Sequence, residues 1–338
     1  MKKIALAAGL TLLAAVIVAF PAAAGGGGSS EVNPGGDRRR RQLRMSGHRL
    51  HEHPGGRDRF AGGLEDPGLP RHLQRAGRDQ QAVDDRRRLI KIENNAVRNI
   101  ALGPGLEDCQ SGQGIFVQSG TETGVEAKSK VEIDGNTVHD YQKTGIIANE
   151  DGTDASIHDN PVTGIGSTNL IAQNGIQLAF GAKGEVAKNS VINHVYGQCT
   201  STTVCPFTSS NILLYGAVAP NVHDNEVGNS QVNIYQGGDK GKVNNNTIYQ
   251  SVVFDGIDLV GDDNDADNNT INDSDDSGVY VQGAHNHVEG NTINEASTGI
   301  FEDTPSSDNH YGGNHFWNVV TMFQPATIAP HAATLNTA

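Results

Sequence analysis

The densest set of potential metal ligands in the chain is the run Gly261 to Asp276, GDDNDADNNTINDSDD, in which Asp263, Asp265 and Asp267 share the D-x-D-x-D spacing of calcium loops. Alternating carboxylates suit a hard cation that takes oxygen ligands, but the central glycine and closing glutamate of an EF-hand loop are missing. The expectation is a weak surface calcium site at these three residues, with no cofactor required. His285, His287, His310 and His315 show no metal-ligand spacing along the sequence. Cys199 and Cys205 bracket a short Ser/Thr loop and are expected to pair in an oxidising compartment, leaving Cys109 without an evident partner.

The elements that position these residues follow from a repeat. Nine times between Ile92 and Phe316 an apolar residue, two spacers, an asparagine, one spacer and a second apolar residue recur. The asparagines are Asn95, Asn136, Asn160, Asn189, Asn225, Asn246, Asn269, Asn291 and Asn314, and the last five are 21, 23, 22 and 23 residues apart. A period near 22 built on short β-branched segments, without a helical pattern, predicts a solenoid whose turns are coils of strands. Stacked turns lie about 4.8 Å apart, so equivalent amides, each with a donor and an acceptor, can bond from rung to rung. Asparagine also tolerates the left-handed conformation of a tight bend, and the spacing predicts that the ladder residue sits there. A second motif, Gly114-Ile115, Gly145-Ile146, Gly175-Ile176, Gly256-Ile257, Gly278-Val279 and Gly299-Ile300, reads as a further strand with glycine at its bend. Asn211-Ile212 and Gln231-Val232 are expected to fill the same slot.

V-x-x-N-x-I followed by G-I once per rung resembles the right-handed parallel β-helix of the pectin-lyase-like superfamily, over about Ile90 to Phe316. The expected fold is therefore all-β, a right-handed parallel β-helix of about nine rungs with an asparagine ladder. In proteins of this kind the connection from the asparagine to the glycine strand varies and walls a groove over that strand. Here the longest such connection follows Asn189 and carries the cysteine pair. Strand alternation turns Phe116, Ile147, Gln177, Leu213, Asn233, Asp258, Tyr280 and Phe301 outward, with Gln118, Asn149, Ala179, Tyr215, Val260, Gln282 and Asp303 in the next column. Of these, Phe116, Asn149, Gln177, Tyr215, Tyr280, Gln282 and Phe301 offer the ring faces and polar groups that suit a sugar polymer. The same residues could equally be a sheet surface packed beneath loops.

The resemblance also implies chemistries to weigh. Lyases of this fold need calcium-binding acids and an Arg or Lys base, and neither outward column holds a basic residue. Hydrolases of this fold use clustered aspartates as acid and base. Asp258 and Asp303 are the candidate catalytic residues; two rungs place them about 10 Å apart, near the upper limit for an inverting pair.

Residues 1–24 carry Lys2 and Lys3, an apolar run from Ile4 to Phe20 and an Ala22-Ala23-Ala24 exit, the pattern of a secretory signal peptide. No later apolar run is long enough to span a bilayer, so no stable membrane anchor is expected and the protein is read as secreted or associated with the cell envelope. Within the anomalous segment 25–88, Asp37 to Arg88 holds 14 of the 15 arginines and no lysine, and lacks rung motifs and amphipathic patterns. A basic arm or a disordered linker would account for this composition; a shifted reading frame accounts for it better. Moving one nucleotide from Arg38, with free choice among synonymous codons, permits FTNIQAAVTA, spaced as a short amphipathic helix, then KILVCPGTY and EQVVI, which resemble the cap and first strands of a secreted β-helix. As written, the segment offers no such cap, and the N-terminal rung is expected to be uncovered. Residues 89–338, comprising the β-helix at 89–318 and a tail at 319–338, hold nine basic and 30 acidic residues, which argues against nucleic acid as a partner. Two functions are compatible with this pattern: binding, with or without processing, of an extracellular polysaccharide along the glycine-strand groove, or presentation of loops to another protein by a non-catalytic surface rod.

Overall fold

A computed structural model describes residues 89–119, 128–199, 205 and 207–325; the segment read as a signal peptide, the arginine-rich segment and the end of the chain lie outside these residues. The described chain is a parallel β-helix. Its first face is a nine-stranded parallel sheet running from Leu89–Glu93 to His310–Gly312, each strand ending two residues before a ladder asparagine. The second face begins immediately after each asparagine, as at Thr137–His139, Ser190–Tyr196 and Thr247–Ser251. The third carries the glycine motif, as at Thr144–Asn149, Asn174–Ala179 and Ile257–Val260. In the last rungs the second and third faces fuse, because Thr270–Ala284, Thr292–Ser307 and His315–Gln324 run through the bend without a break.

Alternation along each strand turns one apolar residue inward per rung, and the parallel register stacks them. Ile133, Ile157, Val186, Val222, Val243, Ala266 and Val288 form one column, Val138, Val162, Val191, Val227, Ile248, Ile271 and Ile293 another, and Ile146, Ile176, Ile212, Ile234, Ile257, Val279 and Ile300 a third. Nearly all are fully buried in one continuous core. Burying a side chain of this size is worth about 1.5–3 kcal/mol.

The asparagines form an unbroken ladder. In each step the Oδ1 of one residue accepts both the backbone N–H and the Nδ2 of the asparagine below it, at 2.9–3.0 Å from Asn95 through to Asn314. The left-handed bend is one residue earlier than expected. Asn94, Gly135, Asp159, Lys188, Asp224, Asn245, Asn268, Gly290 and Gly313, each just before a ladder asparagine, have φ between 54° and 66°. Asn, Asp and Gly tolerate that conformation best and fill eight of these places; Lys188 is the exception.

The motif glycines also differ from expectation. All but Gly256, which just precedes its strand, lie within the strands, and none has a left-handed φ; the requirement is close approach. A Cβ on Gly175 would stand 2.5 Å from the Asn211 carbonyl oxygen and 2.2 Å from Val191 Cγ1, and similar contacts recur at Gly114, Gly145, Gly256, Gly278 and Gly299. Asn211 and Asn233 occupy this slot with side chains turned inward. They belong to a buried polar column in which Tyr141 bonds His194 Nε2, His194 Nδ1 meets Asn211 Oδ1 at 2.6 Å, Asn211 Nδ2 donates to Asn233 Oδ1 at 2.6 Å, and Asn233 Nδ2 donates to Ser251 Oγ at 2.9 Å. Because Asn211 Oδ1 can only accept, His194 carries its proton on Nδ1 and accepts from Tyr141 on Nε2. Burial holds this imidazole neutral, with its pKa lowered to about 4.

A second, shorter amide ladder closes the turn into the first face. Gly241 N–H donates to Asn264 Oδ1 at 2.8 Å, Asn264 N–H to Asn286 Oδ1 at 2.9 Å, and Asn286 N–H to Asn309 Oδ1 at 2.7 Å. It also supplies a partner to each of the two polar residues that interrupt an inward column of the third face: Gln236 donates to Asn264 Oδ1 at 3.1 Å, and Glu302 accepts from Asn309 Nδ2 at 2.8 Å.

Candidate functional site

The third face carries the candidate site. Parallel register aligns Phe116, Ile147, Gln177, Leu213, Tyr235, Asp258, Tyr280 and Phe301 as its outward column. Asn233 is not among them. Val232 pairs with Ser210, so the slot assigned to Gln231-Val232 belongs to Asn233-Ile234, and Tyr235 is the residue that faces out. The Asn233 side chain is fully buried.

The predicted sugar-facing residues divide along the length of the solenoid. Near the N-terminal end, Phe116 is 51% exposed while Ile147 and Asn149 are buried, Asn149 Oδ1 accepting from Gln177 Nε2 at 3.3 Å. In the middle, Tyr215 is exposed and meets the edge of Phe180, with ring centroids 5.8 Å apart. Toward the C-terminal end Tyr280 and Phe301 tilt against one another at 5.7 Å, Tyr280 Oη donates to Asp303 Oδ2 at 2.8 Å, and Gln282 Nε2 donates to the Thr304 carbonyl at 2.9 Å. The half-buried run Tyr235, Asp258, Tyr280, Phe301, with Asp303 beside it, therefore brings aromatic faces and carboxylates together on neighbouring rungs of this face.

Tyr280 lies on the rung between Asp258 and Asp303 and donates to the latter. The nearer partner of Asp258 is Asp255, just before the motif glycine. Asp255 is buried and accepts the Ser277 N–H at 2.8 Å. Burial, then the charge of Asp276, pushes its carboxyl up to about 7, partly offset by the Ser277 hydrogen bonds. Asp258 is also raised well above the usual carboxylate range, first by desolvation and then by the charge of Asp255 and their shared hydrogen bond. Asp258 is only half-buried as a residue, yet its Oδ1 is closed off from solvent, which is the atom-level reason for the shift. Two acids so placed hold a proton between them near neutrality. The sequence signal for this pair was D-x-x-D straddling Gly256-Ile257.

Asp263, Asp265 and Asp267 do not converge. Asp265 and Asp267 project from the first face in separate columns, and Asp263 lies in the preceding turn at φ 59°. Among the described residues the group whose donor atoms all lie within 4.8 Å of one another is Glu132, Asp134 and His158, where Lys91 Nζ already binds Glu132 at 2.9 Å. Cys199 and Cys205 are disulfide-bonded in the loop between Tyr196 and Ser210, with Cα atoms 4.9 Å apart, and Cys109 is a free thiol. No protein-family model matches this chain, and no match was found among curated proteins or solved structures.

Proposed function

We propose that this is a secreted, pectin-lyase-like β-helix that binds an extracellular polysaccharide along its third face, centred on Tyr235, Asp258, Tyr280 and Phe301. The observation that carries the reading is the ring pair Tyr280–Phe301 with Tyr280 Oη fixed by Asp303 on a half-exposed sheet. A sugar ring presents apolar C–H faces to such rings and hydroxyls to the carboxyl groups beside them. The rigid stacking of the rungs supports the same reading, because a linear polymer meets repeated sites at a fixed spacing. Any processing of the polymer rests on Asp258, the half-exposed member of the acid pair that holds a proton near neutrality.

A glycan array followed by titration calorimetry tests the proposal. Binding of one polysaccharide class, reduced at least tenfold by Tyr280→Ala, is the expected result. No glycan bound at millimolar concentration would favour the rod that presents loops to another protein.

A further inference from the structure

The first face carries a feature that the polysaccharide reading does not use. His287 and His310 are 23 positions apart in sequence but directly paired across adjacent strands. Their ring centroids are 5.7 Å apart. Both rings approach one oxygen: Glu289 Oε1 lies 3.1 Å from His310 Nε2 and 3.7 Å from His287 Nδ1. Asp267 pairs with Glu289 on the other side, and its Oδ1 is a buried oxygen with no hydrogen-bond partner. Asp267, Glu289, His310 and Gly312 border an open cavity of about 710 Å³.

We propose that His287, Glu289 and His310 form a binding site for a zinc-class transition-metal ion, with Asp267 as a further oxygen donor. Two of the three donor distances fit the ion. In a tetrahedral site with metal–ligand bonds of about 2.0–2.1 Å, donor atoms lie roughly 3.3 Å apart and two imidazole centroids roughly 5 Å apart. The two histidine–glutamate distances bracket the first value, and the ring separation exceeds the second by little. The His287 and His310 nitrogens that face Glu289 stand more than 4.8 Å from each other, so closing on an ion calls for rotation of the two exposed rings. Two imidazoles with carboxylates select a borderline cation over calcium or magnesium, which take oxygen ligands. The ligand side chains are 43–53% exposed, which leaves the ion a direct path from solvent.

The test is titration of zinc chloride into the full, chelator-treated chain carrying Cys109→Ser, which removes the free thiol. His287→Gln and His310→Gln should each lose one bound equivalent or weaken it at least tenfold, with circular dichroism unchanged. This difference isolates the site from His51 and His53 of the N-terminal segment. His158→Gln, in the separate Glu132–Asp134–His158 group, should leave that equivalent intact, and calcium should not displace it. Cobalt added to the unsubstituted protein should shift the ring resonances of both His287 and His310, a readout independent of how the variants fold. Unaltered zinc binding in both variants, no zinc bound, displacement by calcium, or cobalt shifts confined to other histidines would each overturn the proposal.

Discussion

Asn269 Oδ1 accepts two hydrogen bonds from Asn246, from its backbone N–H at 2.9 Å and from its Nδ2 at 3.0 Å, while Asn269 Nδ2 donates to the Val243 carbonyl at 2.8 Å. One side chain thus satisfies polar groups on two segments of the rung below, all out of reach of water. Asn269→Leu leaves them without that partner at about 1–3 kcal/mol for each unsatisfied group, and a total loss of roughly 3 kcal/mol or more is expected in denaturant melts. Melts that match the unsubstituted protein would show that the ladder contributes no stability.

Gly175→Ala should destabilise by about 1–3 kcal/mol, since the added methyl meets the Asn211 carbonyl oxygen and Val191 at once. Gly166→Ala is the informative comparison. A Cβ at Gly166 meets nothing within 4 Å, so its cost comes only from its φ of 82°. A smaller loss at Gly166 than at Gly175, measured by thermal melting, separates steric closeness from backbone conformation.

Asp255, whose pKa is raised to about 7 by burial, gives the fold a definite pH dependence. Below the unfolded value near 4, both states are protonated and the pair costs nothing. As pH rises toward 7 the unfolded chain releases the proton while the folded one retains it, so stability falls through that window. Asp255→Asn should remove much of this slope, and its stability relative to the unsubstituted protein should increase from pH 4 to pH 7. A constant difference across the window would mean that folded Asp255 does not retain its proton.

His194 has the opposite sign. Its folded pKa of about 4 lies below the unfolded value, so its contribution is present above pH 6.5 and is lost as pH falls through about 4. Its ring nitrogen resonances should therefore report a neutral Nδ1–H tautomer at pH 5. An imidazolium spectrum at that pH would contradict the buried column.

Peptide mapping of the non-reduced protein should recover Cys199 joined to Cys205 and Cys109 open to alkylation. Recovery of Cys109 in a bridge to either partner would contradict the loop assignment.

Much of this fold is legible in the sequence because each rung repeats one physical constraint. A residue inside the stack must suit its equivalents above and below, and that demand writes the columns Val138–Val162–Val191 and Asn136–Asn160–Asn189 into the chain. Register was lost where the constraint changed character: at Asn233 the slot holds an inward amide instead of glycine, and Gln231-Val232, two residues earlier, imitates the motif. The left-handed position reads one residue late in the sequence because Asn recurs at both places, as at Asn94-Asn95 and Asn268-Asn269. The second ladder left a signal in Asn264, Asn286 and Asn309, each five residues before a ladder asparagine. The acid pair is less legible, because the surroundings of Asp255 include the charge of Asp276 and the N–H of Ser277 on the next rung, 21 and 22 residues away.

Every step of the main ladder runs the same way: the lower asparagine gives its hydrogens and the upper one its oxygen, from Asn95 to Asn314. The column is therefore vectorial, a line of amide dipoles in series parallel to the long axis. Aligned dipoles polarise one another, so a neighbour on either side strengthens each bond. An amide lost near Asn189 would weaken links on both sides, whereas one lost at Asn314 would shorten the line from its end. The rod accordingly has electrical poles as well as two termini, its hydrogen-bearing pole facing the last rung.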